Sequence, residues 1–318
     1  MTFYAIDPSL PSGLPLDGRD TVVTIGTFDG IHKGHWEVLS EIRRMADKKN
    51  ARSVLITFNP HPLTIVRPEL APPMITTPIE KKEILAESGL DYVVFIPFTP
   101  LLAQYNPRRF VEEILVERLK VKDLVVGYDH HFGRGRTGNV DTLRCLGSEL
   151  GFDVHVVGPI GIEEAPISST RIRKALLRGD VDTAHESLGR HYSLRGLVVR
   201  GDQRGRNMGF PTANLEVVGV GAGGKLIPCP GIYAVRGFLR SGTYEGALHL
   251  GPRPTFQGLP PSIELHLLDF NEDIYGEEIR VEFISYLRNI ISFDSQRELV
   301  DKMREDVEKI REILKYSC

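Results

Sequence analysis

The chain has 318 residues, 41% hydrophobic and 25% charged, with a formal net charge of -3. That is enough apolar material for one to three packed domains, and the charge argues against a general nucleic-acid binder. Its cysteines, Cys145, Cys229 and Cys318, show neither metal-ligand nor disulfide-framework spacing, and neither a signal peptide nor a membrane span is expected.

The first apolar run, 22–25, reads as a buried strand. It leads into Gly26-Thr27-Phe28-Asp29-Gly30-Ile31-His32-Lys33-Gly34-His35, and then into 36–42, whose apolar residues recur at helical spacing. The stretch is thus a Gly-rich turn at a helix N-terminus, where unpaired N–H groups and the helix dipole suit phosphate. His32 and His35 add donors that can follow charge as it builds on a phosphate. A blander reading leaves both histidines satisfied within the turn.

Further strand-like runs at 53–58, 92–96, 124–126 and 154–157 recur about every 30 residues, the size of a βαβ unit. Helical patterns fill the gaps: 78–88 closed by Gly89, a segment from Pro107 through Leu115, and one from Asn139 to Gly151. The alternation predicts a doubly wound parallel sheet, whose ligands sit outside the carboxyl ends of the strands. Three segments fall there. Asn59-Pro60-His61-Pro62 is a rigid corner where His61 either faces a ligand or serves the turn. Gly127 to Gly138 contains a formal G-x-G-x-x-G at Gly133, Gly135 and Gly138. A dinucleotide site is rejected there, because the match lies outside the first βαβ unit and holds Arg134 and Arg136. Ser168-Ser169-Thr170-Arg171-Ile172-Arg173 opens a helix with hydroxyls and arginines, either a capped surface helix or a second phosphate-facing N-terminus.

Residues 179–189 read as a short helical connection. Beyond them come period-two strands at 194–199, 232–239, 244–250, 263–270 and 279–286, with a hairpin signal at Arg240-Ser241-Gly242. These predict a small antiparallel barrel. A final amphipathic helix, 295–314, carries Leu299, Met303, Val307, Ile310 and Leu314 on one face. The segment 196–215 holds Gly201, Gly205 and Gly209, which let backbone approach a ligand, and Arg204 and Arg206, which could meet phosphate. Thr212 and Asn214 offer neutral oxygens that suit Mg²⁺ when a nucleotide supplies the charge. The G-x-x-x-x-G-K match at 219–225 is a decoy: Leu226 follows it, and Pro228 and Pro230 forbid the helix a P-loop needs.

The string Gly26-x-Phe28-Asp29-Gly30-x-His32-x-Gly34-His35 resembles the phosphate-binding turn of the nucleotidyltransferase superfamily, in the form found in bacterial FAD synthetases. Gly205-Arg206-x-x-Gly209-Phe210-Pro211-Thr212-Ala213-Asn214-Leu215 resembles riboflavin kinase, as do 230–234 and the strand 263–270. The resemblance spans roughly 21–306. It implies an FMN adenylyltransferase domain over 1–188 and a riboflavin kinase domain over 189–318, making FMN from riboflavin and ATP and then FAD from FMN and ATP. It implies Mg²⁺ as cofactor, ATP as co-substrate, and riboflavin, FMN and FAD as the other partners. For adenylylation it points to Gly26, Phe28, Asp29, Gly30, His32, Gly34, His35, Ser168, Ser169, Thr170, Arg171 and Arg173 around ATP. Asn59, His61, Pro62, Asp129, Phe132 and Gly133 would lie around flavin and nucleotide. For the kinase it points to Gly201, Gly205, Arg206, Gly209, Pro211, Thr212 and Asn214 around ATP, with Thr212 and Asn214 on the metal. Arg288 would lie at the flavin and Glu264 would be the general base; by pattern alone Glu264 could equally face solvent. Three positions depart from the family: His130 replaces Phe, His249 stands where Asn or Ser is commoner, and Ile290 replaces Glu. A different nucleotidyltransferase with an accessory barrel, and a non-catalytic flavin sensor, are the rival readings. A cytoplasmic monomer or weak homo-oligomer, with no membrane or nucleic-acid partner, is expected.

Overall fold

The computed structural model describes the chain except residues 6–13, 15–17, 159–160, 163–164, 202–204, 206–207, 218–222, 252–261 and 317–318, and gives only the backbone of 161, 162 and 165. It divides into two compact units, Met1–Ser169 and Thr170–Cys318. The sequence motifs at Arg204, Arg206 and 219–222 lie outside the described residues.

The first unit is built on strands β1 (Thr2–Ala5), β2 (Thr21–Ile25), β3 (Arg52–Asn59), β4 (Tyr92–Pro97), β5 (Val121–Gly127) and β6 (Asp153–Val157). They form one sheet in the order β1-β4-β3-β2-β5-β6, parallel throughout. Adjacent residues alternate between its faces. Val23, Ile56, Val94 and Val126 enter one core with Phe110, Ile114, Leu143 and Leu146. Val22, Leu55, Val93 and Val125 enter the other with Leu39, Ile42 and Leu85. The first core is covered by α4 (Pro107–Phe110), continued by an i→i+5 helix over Val111–Arg118, and by α5 (Val140–Leu150). The second is covered by α1 (Lys33–Lys49) and α3 (Pro78–Ala86). A short α2 (Pro62–Val66) follows β3. The chain leaves β2 toward β3 on one side and reaches β5 on the other, so the sheet's switch point opens at the carboxyl end of β2.

After a two-stranded ribbon, β7 (Gly161–Ile162) and β8 (Ala165–Pro166), come α6 (Ser169–Leu176) and α7 (Val181–Leu188). The second unit is a closed barrel of β9 (Tyr192–Val199), β10 (Ala213–Glu216), β11 (Gly231–Leu239), β12 (Gly242–Gly251), β13 (Ser262–Leu267) and β14 (Glu278–Arg288). The ring order is β10-β13-β12-β11-β14-β9, with every pairing antiparallel. Closure leaves no open edge strand. Buried side chains such as Leu215, Tyr233, Leu248, Leu265 and Phe283 lie on one side of the strands. The terminal helix α8 (Gln296–Tyr316) packs Ile310 and Leu314 against Ala234, Leu268 and Ile284 on the other.

The parallel sheet, the barrel and the closing helix agree with the sequence reading, including the Leu239–Gly242 hairpin. Four strands were not anticipated: β7 and β8 of the ribbon, two residues each, and two others. Edge strand β1 is four residues long and mostly exposed, with too little alternation to read. Strand β10 overlaps the end of the glycine-bearing segment 196–215, where no strand was expected.

Candidate active sites

In the first unit the turn after β2 is held from behind. Gly26 N–H donates to the Ile56 carbonyl at 3.1 Å, tying the turn to β3. The Asp29 carboxylate, 1% exposed, accepts from Ile75 N–H, Thr76 N–H and the Thr76 hydroxyl at 3.0–3.2 Å. Thr76 in turn accepts from Gly30 N–H at 3.1 Å. Asp29 and the Gly30 amide, both expected at ATP, are therefore engaged in bracing the turn. The Thr27 carbonyl accepts from the Thr57 hydroxyl at 3.0 Å and from Lys81 Nζ at 2.7 Å. The Ser169 hydroxyl donates to the Asp29 carbonyl at 2.9 Å, which brings the start of α6 to the turn.

This bracing presents the histidines. His32 caps α1: its Nδ1 accepts from His35 N–H at 3.2 Å, which leaves the proton on Nε2. The two imidazoles stack with centroids 3.7 Å apart, and Phe28 packs on His35 at 4.6 Å. Gly34 runs against the His32 ring, where a Cβ would lie 3.2 Å from Nδ1. Phe28 and Ile31 have φ of 45° and 40°, a left-handed backbone rare for such residues and costing on the order of 1–3 kcal/mol each.

The expected residues of 59–62 and 129–133 follow the ends of neighbouring strands. At the end of β3, Asn59 is exposed before a cis Pro60, and His61 caps α2 by accepting from Leu63 N–H at 3.2 Å, with Pro62 in the first turn. At the end of β5, Asp129 is exposed, while Phe132 and Gly138 exchange both backbone hydrogen bonds at 3.0 Å. Gly133, at φ 72°, fits against Pro107 where a Cβ would lie 2.8 Å away. His130 stacks on Phe132 at 5.9 Å, and burial lowers its pKa to about 4. A neutral imidazole thus fills the aromatic position. Ser168 precedes α6; on that helix Thr170 is exposed, and Arg171 and Arg173 are half-buried.

In the second unit the site is set by register. Asn214 is opposite Val199 on one side and Glu264 on the other. Glu264 is opposite His249, His249 opposite Ile232, and Ile232 opposite Arg288. Directly paired residues share a face. Because Ile263 and Leu265 are buried in the barrel, Glu264 and its row lie on the outer face. Asn214 reaches that row only beside a glycine: a Cβ on Gly201 would lie 2.1 Å from its amide nitrogen. Gly205 accepts from Met208 and Phe210 N–H at 3.0 and 2.9 Å, folding the motif before Pro211, whose carbonyl is 2.8 Å from His266 Nδ1. Gly209, at φ 82°, completes that turn, and Thr212 lies next to Gly205. Burial and the Arg288 charge lower the pKa of His249, against the pull of Glu264. Arg288 chelates Asp306 of α8, with Nε 3.0 Å from both carboxylate oxygens. Its guanidinium thus ties α8 to β14. Lys225 is buried with its Nζ 4.6 Å from the centre of the Tyr192 ring.

Sequence reasoning missed Thr57, Thr76 and Lys81 behind the turn, and Asp306 under Arg288. A lysine or aspartate in an amphipathic helix gives no sign of being buried.

A histidine-bearing helix N-terminus at a parallel-sheet switch point, and a barrel face with Asn and Glu side by side, define a chain with two phosphate-transfer domains. Residues 15–171 match the FAD synthetase family model and 188–314 the riboflavin kinase model. The chain is 36% identical over 292 residues to the bifunctional riboflavin kinase/FMN adenylyltransferase of Escherichia coli K12, covering 92% of each chain. It is 32% identical over 291 residues to the Bacillus subtilis 168 protein of that name, covering 90% of each. A solved structure described as a macrolide-efflux protein from Streptococcus pneumoniae superposes with TM-score 0.87 at 32% identity, covering 98% of this chain and 99% of that one. The chain belongs to the bifunctional riboflavin kinase/FMN adenylyltransferase family. Its two domains correspond to the two steps of FAD synthesis.

Proposed function

We propose that each unit performs one step at the site described in it. On the outer face of the barrel, riboflavin and ATP give FMN and ADP. At the turn after β2, an FMN phosphate oxygen bonds to the α-phosphorus of ATP and the bond to the β-phosphate breaks, giving FAD and pyrophosphate. Neither step needs a covalent enzyme intermediate; positioning and charge stabilisation suffice. The observation that carries this reading is the cross-strand pairing of Asn214 with Glu264, fifty residues of chain apart yet directly opposed.

Glu264 takes the proton from the ribityl hydroxyl as general base. Gly201, Gly205, Arg206, Gly209 and Pro211 line the ATP phosphates. Thr212 and Asn214 would hold Mg²⁺. Neutral oxygens fit that ion where nucleotide phosphates balance its charge, and no cluster of three or more His, Cys, Asp or Glu capable of caging a metal occurs among the described residues. When bound, the ion neutralises phosphate charge. Arg288, through Asp306, shapes the flavin side by fixing α8. In the first unit His32 and His35 stabilise charge at the reacting phosphate, while Asp29 and Ser169 brace the turn that carries them. Gly26, Phe28, Gly30 and Gly34 shape that turn, and Ser168 serves the triphosphate. Asn59, His61, Pro62, Asp129, Phe132 and Gly133 border flavin and nucleotide. A domain boundary at 188/189, a cytoplasmic location, a monomeric or weakly associating state and the absence of nucleic-acid partners complete the proposal.

Incubating the protein with riboflavin, ATP and Mg²⁺ and separating the flavins by chromatography tests it. FMN followed by FAD is expected. Binding of flavin without turnover would mark a sensor, and FMN without FAD would return the first unit to another adenylyl acceptor.

A further inference from the structure

Lys81 is 5% exposed, at the fourth position of α3. Lysine is almost never buried so deeply without a paired charge, because an ammonium loses several kcal/mol of hydration. The helix N-terminus at which it sits is itself positive, which raises the cost. Its described hydrogen bond goes to the Thr27 carbonyl at 2.7 Å, where the Thr57 hydroxyl already donates. Burial lowers its pKa to about 8, and the charged group acting against that shift is Asp29, across from it on the turn. On its own helix the neighbouring Glu80 accepts from Thr77 N–H at 2.8 Å, and the β3 side contributes the uncharged Thr57.

A second ligand on a carbonyl that already has one is poor economy for stability alone. It makes sense for geometry. The Thr27–Phe28 peptide enters a turn with two left-handed non-glycine residues, and such backbone persists only where its surroundings over-determine it. One residue further on, Asp29 receives three donors from the 75–76 segment that leads into α3. Five residues beyond Thr27 is His32. We propose that Lys81 is a positioning residue of adenylyl transfer: its buried ammonium, clamped on the Thr27 carbonyl, holds the strained turn in the geometry that aims His32 and His35 at the reacting phosphate. Lys81 itself touches no substrate.

The test uses the intact protein, whose riboflavin kinase activity serves as an internal control. Lys81→Met should lower kcat for FMN adenylylation by about 10–100-fold, the cost of misplacing reacting groups by about an ångström. KM for ATP should move by less than about threefold, since the loss falls on the transition state. Riboflavin phosphorylation should stay within about twofold of normal. Lys81→Arg, which keeps a charged donor, should recover most of the lost kcat. In the unmodified protein, adenylylation should fall as pH rises through about 8, where the ammonium loses its proton, while phosphorylation does not follow. Unchanged kcat in Lys81→Met, equal loss of both activities, or a flat adenylylation profile between pH 7 and 9 would each overturn the proposal.

Discussion

The two proposed sites would reach similar chemistry by opposite constructions. At the first, the chemical groups are contiguous: ten residues from Gly26 to His35 carry the motif, and the rest of the unit holds that loop still. Thr57, Ile75, Thr76, Lys81 and Ser169 all bond to the turn's own backbone or carboxylate. At the second, no short stretch holds the site. Asn214, Glu264 and His249 come from three strands and meet because the barrel's register makes them neighbours. A braced loop depends on buried polar bonds, each of which costs about 1–3 kcal/mol if one partner is left unpaired. A register-built row is a property of the whole barrel, and a one-residue slip would turn every member of a strand to the other face.

The largest expected effect tests the first construction. His32→Ala with His35→Ala should abolish FAD formation while FMN still accumulates from riboflavin, read by chromatography. Normal FAD output would end the assignment of that turn. Next comes the mirror case, Glu264→Gln. Phosphorylation should fall by about 10²–10⁴-fold, the usual loss with a general base, while supplied FMN is still adenylylated. A normal phosphorylation rate would make Glu264 a plain strand residue.

A smaller effect sharpens where the barrel's unit begins. Cys229 N–H donates to the Leu176 carbonyl at 3.1 Å, and Gly179 abuts Tyr286 and Cys229. On α7, Val181, Ala184 and Leu188 are buried. A fragment of 189–318 should fold and phosphorylate riboflavin, but a fragment of 170–318 should be more stable by roughly 2–5 kcal/mol, since it keeps that apolar surface covered. Thermal unfolding of the two fragments measures the difference. Equal Tm values would mean that α7 adds nothing to the barrel.

The legibility of the sequence follows the same division. The sheet, the helices and the Gly26–His35 turn could be read because period and motif are local. The barrel strands could be read by alternation, but β10 could not, since Ala213 to Glu216 is only four residues inside a glycine-rich string. Register is a long-range property, so the outer-face row and the place of His249 in it were invisible. Arg288 was expected at the flavin; its bond to Asp306 depends on where α8 docks, and pattern does not carry that. His130 was visible as a departure, but only packing shows a neutral ring stacked on Phe132.

That last residue gives the mildest prediction. Its folded pKa, about 4, lies below the ordinary 6.5, so the unfolded chain binds the proton more readily between those values. Stability should therefore be lost as pH falls from 6.5 towards 4. His130→Phe should match the unmodified protein near pH 7 and lose less Tm on acidification. Identical acid curves would mean that His130 is not buried as a neutral ring.

The central claim is that each unit carries its own complete site. Mixing the His32→Ala, His35→Ala protein with the Glu264→Gln protein tests it most directly. Neither should turn riboflavin into appreciable FAD alone. Together, with ATP and Mg²⁺, the first should release FMN and the second should adenylylate it, so that FAD forms at a rate rising with the concentration of either. FAD no higher in the mixture than in the separate proteins would contradict two self-contained sites.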